Sequence, residues 1–347
     1  MSQNDARLAL LQGWLARDLG LRPLRIERAS SDASFRRYFR AVCSSGTFIV
    51  MDAPPATEDV RPYLRVSRML ESIGIHAPRV HEADVERGLL LLEDLGGTHY
   101  LAQLAAGGDP ERLYRDALEA LATIQLRGAE VATELPPYDR APLARELELM
   151  PEWFLERHLM LELSAAEREM LAAAFERLIA EALAQPCVFV HRDYHSRNLM
   201  VVSERNPGVI DFQDALRGPV GYDLVSLLKD CYICWPRERV VGWVSGYRDV
   251  LRARGAQAGS TPEQFLRWFD LIGVQRHLKV LGIFARLWYR DRKPGYLRDL
   301  PLTLEYVRAA CRMYRELEPL SGFIERRVVP GLAPANERVA RESAPQP

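Results

Sequence analysis

The run CVFVHRDYHSRNLMVVSERNPGVIDFQD, from Cys187 to Asp214, constrains the fold more than any other stretch of the chain. It reads as a strand over Cys187–Val190, a polar loop, a strand over Leu199–Val202, a turn at Asn206-Pro207-Gly208 and a short strand over Val209–Phe212. The apolar runs are short, β-branched and bounded by turn formers, which favours strand over helix. Asp193 and Asn198 stand in the spacing H-R-D-x-x-x-x-N, and Asp211 follows thirteen residues after Asn198. Phosphoryl transfer to a hydroxyl needs a carboxylate that orients the hydroxyl and takes its proton, the role open to Asp193. It also needs hard oxygen ligands for Mg²⁺, which Asn198 and Asp211 can supply beside phosphates and waters. A solvated hairpin loop would explain a lone His191-Arg192-Asp193. It does not explain the whole set on strand, loop, strand, turn, strand.

The 347 residues suffice for a two-lobed enzyme with a sizeable core. A formal net charge of -1 gives no electrostatic case for nucleic acid as a partner. No stretch reaches the roughly 18 apolar residues of a membrane span, and no basic segment followed by an apolar run opens the chain. No membrane association is expected. The five cysteines, an odd number, read as reduced thiols of a cytoplasmic protein. Cys231-x-x-Cys234 could suggest a metal or redox site, but no second pair completes four ligands. Inside the amphipathic run DLVSLLKDCYICW the spacing reads better as two cysteines on one helix face.

Along the chain, a helix is expected over residues 4–19, then strands at Arg25–Arg28, Tyr38–Val42 and Thr47–Met51. A helix over 57–73 and strands at Val80–Ala83 and Leu89–Glu93 follow, the last an uninterrupted leucine run that suggests burial on both faces. It empties into Glu93-Asp94-Leu95-Gly96-Gly97, a natural hinge whose backbone groups could read an adenine edge. Helices are expected over 111–126, 140–160, 164–184, 221–234, 237–254, 262–290 and 301–318. Ser164 and Glu167 form a capping box. The stretch from 326 to 347, rich in Pro, Ala and charge, reads as a disordered tail. The fold class is therefore α+β: a small β-rich N-lobe over 1–95 and a larger, mainly helical C-lobe over 96–325.

Five stretches carry a resemblance: SSDASFRRYFR (30–40), LLLLEDLGG (89–97), VHRDYHSRNLM (190–200), VIDFQDALRGPVGYDL (209–224) and QRHLKVLGIFARLWYRDRKPGYL (275–297). With them the chain resembles the aminoglycoside phosphotransferase and choline kinase group. Within that group it is most similar to the cell-wall sugar kinases that phosphorylate the anomeric (C1) hydroxyl of N-acetylmuramate and N-acetylglucosamine in peptidoglycan recycling. The resemblance implies a two-lobed protein-kinase-like fold and the cofactors ATP and Mg²⁺. It implies that Asp193 is the catalytic base, Asn198 and Asp211 the metal ligands, and Asp223 a structural brace for the catalytic loop. ATP would be held by Ser31, Asp32, Ala33, Ser34, Phe35, Arg36, Arg37 and Arg40, and at the hinge by Glu93 and Leu95. The sugar would meet His195, Arg276, Lys279, Arg286, Tyr289 and Arg290, and the enzyme would work as a monomer.

Two departures stand out. Related kinases carry a lysine on the third strand to grip the phosphates, whereas here Phe48-Ile49-Val50-Met51 ends in methionine. The chain's three lysines, Lys229, Lys279 and Lys293, lie far downstream, so either the protein is a silent nucleotide-binding relative or an arginine substitutes. Alternation along the second strand would put Arg36 and Arg40 on one face and Arg37 on the other. Gln213 replaces the glycine that follows Asp-Phe in protein kinases, and only about seven residues separate Asp211 from Gly218-Pro219. No peptide-docking segment fits there, so a small substrate is expected. At about 100° per residue, Arg276, Lys279, Arg286 and Arg290 share an arc of roughly 80° on an otherwise apolar helix. Such a stripe suits an anion or a hydroxylated sugar better than a cationic aminoglycoside, although any one of these side chains could simply face water. Another hydroxylated metabolite or an aminoglycoside remains the alternative acceptor.

Overall fold

A computed structural model describes residues 3–31 and 35–343. Its strands are β1 (Arg25–Ser31), β2 (Arg37–Cys43), β3 (Gly46–Asp52), β4 (Val80–Asp84), β5 (Leu89–Glu93), β6 (Cys187–Val190), β7 (Leu199–Met200), β8 (Gly208–Val209) and β9 (Leu216–Pro219). Helices α1 (Gln3–Gly13), α2 (Arg61–Ser72), α3 (Tyr100–Ala105), α4 (Pro110–Arg127), α5 (Arg140–Leu147) and α6 (Ala165–Leu183) precede the central hairpin. After it come α7 (Gly221–Leu228), α8 (Arg237–Ala253), α9 (Pro262–Tyr289), α10 (Leu300–Met313), α11 (Glu318–Phe323) and α12 (Val329–Ser343).

The chain divides into two compact units, Met1–Gly128 with Arg197–Ala215, and Ala129–Ser196 with Leu216–Pro347. In the first, β1-β2-β3-β5-β4 form an antiparallel sheet in that order. Leu11, Trp14 and Leu15 of the first helical segment pack on Ala41, Val50, Leu89 and Leu91 of the sheet. Leu89 to Leu92 are all buried, as the unbroken leucine run required. Met51, paired with Tyr38 on one side and Leu90 on the other, is fully buried. The buried carboxylate of Asp52 is shared by Arg7 and Arg37, whose Nε atoms each lie 2.9 Å from it.

The first unit is larger than residues 1–95, because side chains tie α3, α4 and the β7–β8 hairpin to it. Asn206 Nδ2 donates to the Tyr100 hydroxyl (2.6 Å) and to Asp116 (2.9 Å), while Val209 N donates to the His76 carbonyl at 2.8 Å.

In the second unit α9 is the central element, with residues 268–282 buried without a break. Asp270, fully buried on it, accepts hydrogen bonds from Lys229 (2.8 Å), Arg237 (2.6 Å on each oxygen) and the Tyr314 hydroxyl (3.0 Å). One carboxylate thus fastens the C-terminus of α7, the start of α8 and the end of α10 to α9. Four sequence expectations need correction here. The helix expected over 221–234 stops at Leu228, because Asp230 leaves the helix to accept the Ser196 N–H at 3.0 Å and the Tyr232 N–H at 3.1 Å. Cys231 and Cys234 consequently part, one buried and one exposed. Strand β9, absent from the sequence reading, pairs with β6, while the strand expected over Val209–Phe212 shrinks to Gly208–Val209. The tail expected to be disordered from 326 forms α12 up to Ser343. Val328, Leu332, Ala335 and Val339 recur at helical spacing and are buried, a pattern masked by the surrounding Pro, Ala and charge.

All five cysteines are free thiols, with Cys187 and Cys234 exposed and Cys43, Cys231 and Cys311 buried. Under native conditions a thiol reagent should therefore modify two sites quickly and the other three only on unfolding. Mass mapping that found Cys231 and Cys234 labelled together would contradict the break after α7.

Candidate active site

The loop that leaves β6 is held at both ends by carboxylates. His191 N and Arg192 N donate to Asp223 Oδ2 (2.6 Å) and Oδ1 (3.0 Å), with Arg192 in the left-handed region at φ 78°. Asp223 lies in the first turn of α7 and is fully buried. Burial pushes its carboxyl up to about 7, against the pull of those two N–H donors. At the far end, Ser196 donates its N–H (3.0 Å) and its hydroxyl to Asp230. Between the clamps, His195 N donates to the Asp193 carbonyl at 3.0 Å, and Asp193 N to His191 Nδ1 at 3.3 Å.

Asp193 is half-buried in a field of positive charge. Burial raises its carboxyl, but His195, Lys279, Arg192 and Arg276 together outweigh burial and hold it below the ordinary carboxylate range. It is therefore ionised throughout the neutral range. Two of those cations are positioned by Glu146 of α5, which pairs with Arg192 Nη2 at 2.5 Å and Lys279 Nζ at 2.9 Å and accepts the Tyr138 hydroxyl. Lys279 also donates to the Tyr222 hydroxyl at 2.9 Å. Arg276 is buried, with Nη1 3.8 Å from Cys231 Sγ. The basic stripe on α9 is thus divided. Arg276 and Lys279 act on Asp193, whereas exposed Arg290 pairs with Asp291 at 2.8 Å and Tyr289 meets His158 Nδ1 at 3.4 Å. Arg286 is half-buried, its guanidinium pushed down by burial and by Arg290, and its Nε has no hydrogen-bond partner among the described residues. The His195 ring stands edge-on to Tyr232, with centroids 5.5 Å apart.

In the first unit, β7 and β8 bring Asn198 Nδ2 to 3.3 Å from Asp211 Oδ2. Asp211 leaves the strand at φ 63°, and its Oδ1 accepts Gln213 Nε2 at 2.8 Å. Two oxygen-bearing side chains fit Mg²⁺, which takes few protein ligands and fills its shell with phosphates and waters. The described residues hold no cluster of three or more His, Cys, Asp or Glu suited to a metal. Arg36, ahead of β2 rather than in it, has Nη2 3.6 Å from Asp211 Oδ1. Arg37 is engaged by Asp52, and Arg40 by Asp94 at 2.7 and 3.0 Å. Glu93 accepts the Arg79 N–H at 3.2 Å, and Leu95 is buried against Gly208. Phe35 N donates to Glu58 Oε1 at 3.1 Å while its ring is exposed. Ser31 ends β1; Asp32, Ala33 and Ser34 lie outside the described residues.

A family model described as the phosphotransferase enzyme family matches residues 25–264. The chain belongs to this family. A Pseudomonas aeruginosa relative of the phosphotransferase family, named N-acetylmuramate/N-acetylglucosamine kinase, is 46% identical over 331 residues, covering 92% of this chain and 97% of its own. A Neisseria meningitidis relative of the same name is 44% identical, covering 90% and 94%. Among solved structures, an ethanolamine kinase from Plasmodium vivax superposes with a TM-score of 0.63 at 12% identity, over 91% of this chain and 90% of its own. A choline kinase from Streptococcus pneumoniae gives 0.58 at 13% identity, over 88% and 99%. The chain has this protein-kinase-like fold, with a β-sheet N-terminal region and a mainly helical C-terminal part.

Glu146 and Asp230 are the site residues that sequence reasoning missed. Glu146 reads as one more acid on an amphipathic helix, and Asp230 lies in a run that reads as helix throughout. Neither carries a local signal. Removing the Asp223 carboxylate should show what the loop costs when unclamped. Asp223→Ala leaves two buried N–H groups without acceptors, together about 2–6 kcal/mol, whereas Asp223→Asn keeps one acceptor and should lose less. Urea unfolding at neutral pH measures both, and two variants as stable as the parent chain would contradict the clamp.

Proposed function

We propose that the chain is an ATP- and Mg²⁺-dependent kinase that phosphorylates the anomeric hydroxyl of amino sugars such as N-acetylmuramate and N-acetylglucosamine. The observation that carries this reading is the position of Asp193 on a loop clamped by Asp223 and Asp230. Two relatives of at least 44% identity that bear such a name support it. In this mechanism Asp193 accepts a hydrogen bond from the C1 hydroxyl and aims its oxygen at the γ-phosphorus. The sugar oxygen gains the phosphoryl group, ADP leaves, and the hydroxyl proton passes to Asp193. A carboxylate of lowered basicity takes that proton late, which suits a loose phosphoryl-transfer transition state in which positioning matters more than proton removal. Asn198 and Asp211 would hold Mg²⁺, which when bound neutralises charge on the nucleotide phosphates. The strand that usually carries lysine has the buried Met51, and Arg36 takes over the grip on the phosphates. Nucleotide contacts at Phe35, Glu93 and Leu95 belong to the same proposal, as do a cytoplasmic location and a monomeric state. Among the described residues no helix is long and apolar enough to cross a membrane.

For the acceptor, Lys279 and Arg290 are already matched by acids, so the lactyl carboxylate of N-acetylmuramate falls to Arg276, with Arg286 second. The direct test incubates the chain with ATP, Mg²⁺ and each sugar and reads the product by phosphorus NMR. An anomeric phosphate is expected, and Asp193→Asn should lower the maximal rate by about 10²–10⁴ while leaving nucleotide affinity nearly intact. ATP binding without any turnover that depends on the sugar and on Asp193 would favour the silent, nucleotide-binding alternative that Met51 suggests.

The three arginines should separate in kind. Arg36→Ala should weaken ATP binding or slow transfer without much loss of stability. Arg37→Ala, which takes one of two guanidinium partners from buried Asp52, and Arg40→Ala, which takes the arginine from Asp94, should instead lower the melting temperature. ATP titrations and thermal scans on the three variants check this, and an Arg36→Ala variant with unchanged ATP kinetics would leave the phosphates to backbone and metal.

A further inference from the structure

A line of aromatic rings starts at the catalytic loop and runs away from it within the second unit. His195 meets Tyr232 at 5.5 Å between centroids, Tyr232 meets Phe284 at 6.4 Å, and Phe284 meets Tyr296 at 5.4 Å. The last three rings are tilted by 32° and 35° from one neighbour to the next, so none of these three stands edge-on to the next. Its middle member, Phe284 on α9, is buried, whereas Tyr232 and Tyr296 at the two ends are half-exposed.

Tyr232 is also fixed to the catalytic loop through one carboxylate. Asp230 Oδ1 accepts the Tyr232 N–H at 3.1 Å, and its Oδ2 accepts the Ser196 N–H at 3.0 Å. Ser196 is three residues from Asp193 and His195 two, so the same few residues place the base and the first ring. Helix α7 is given up at Leu228 to make this arrangement, at the cost of the hydrogen bonds that a continued helix would have made.

A pyranose presents axial C–H groups on its faces and hydroxyls at its rim. A flat aromatic surface bordered by polar groups matches that distribution, since apolar contact binds the ring while a few polar groups orient it. We infer that Tyr232 and Tyr296, backed by Phe284, form the platform on which the acceptor sugar ring and its N-acetyl methyl lie, with Tyr232 presenting the sugar to Asp193 and Asp230 acting as the positioning residue for both. This inference rests on the kinase reading above and adds the residues that recognise the pyranose.

The test compares Tyr232→Ala, Tyr232→Phe and Tyr296→Ala with the parent chain, measuring KM for N-acetylglucosamine, KM for ATP and kcat. N-acetylglucosamine is chosen because it has the ring and the N-acetyl group but no lactyl carboxylate. Each Ala variant should raise the sugar KM by about tenfold, the scale of a lost aromatic contact, with the ATP KM within about twofold of the parent value. Tyr232→Phe, which keeps the ring, should restore most of the loss. A sugar KM unchanged in both folded Ala variants, a loss that Phe fails to restore, or equal losses for sugar and ATP would each overturn the platform. If Tyr232→Ala proves unfolded by circular dichroism, Tyr296→Ala decides alone, because its residue sits in a short surface turn, Pro294–Asp299. A parent chain without any sugar-dependent turnover would instead bring down the kinase reading and the platform with it.

Discussion

Two carboxylates that take backbone N–H groups from one loop are the constraint on which the second unit depends. The segment from His191 to Ser196 leaves β6 and runs through a left-handed residue, so it has no strand partner to satisfy its buried N–H groups. Asp223 and Asp230, both supplied by the segment that follows β9, replace that partner at its two ends. Burying acids to do this has a cost, visible in the raised carboxyl of Asp223. Strands and helices around the loop serve largely to hold these acceptors still, and Asp193 inherits its fixed position from them.

Buried acids with several donors recur through the chain. Asp270 gathers Lys229, Arg237 and Tyr314; Glu146 gathers Arg192, Lys279 and Tyr138; Asp52 gathers Arg7 and Arg37. A buried carboxylate surrounded by donors keeps its charge, whereas one with a single partner is easily stranded by a small displacement. The arrangement also explains why arginine is so frequent and lysine so rare here. A planar guanidinium can serve two acceptors in fixed directions, which a compact ammonium on a flexible stem does less well.

Much of this could be read from the sequence where chemistry is local. The strand-loop-strand run, the H-R-D spacing and the leucine strand Leu89–Leu92 each announce their structure within a few residues. What stayed hidden depends on partners far along the chain. Asp230 breaks a good helical pattern only because Ser196 needs an acceptor, and Glu146 matters only because Arg192 and Lys279 arrive from elsewhere. The helix over Val329–Ser343 was hidden for another reason: four apolar positions at helical spacing are faint amid proline and charge. The basic stripe shows the limit of periodicity. Side chains on one helical face share a direction, but the acids of other elements decide which of them keep a role beside Asp193.

Glu146 has an implication for how such a chain can change over generations. It balances two cations at once, one from the catalytic loop and one from α9. Replacing Lys279 alone would leave the acid under-compensated, and replacing Glu146 alone would leave two cations crowded beside each other. Neither single step is neutral, so positions 146, 192 and 279 should drift together or not at all. Among distant kin, a chain that lost its base at 279 is expected to have lost the acid at 146 as well, and to have found another way to keep Asp193 ionised.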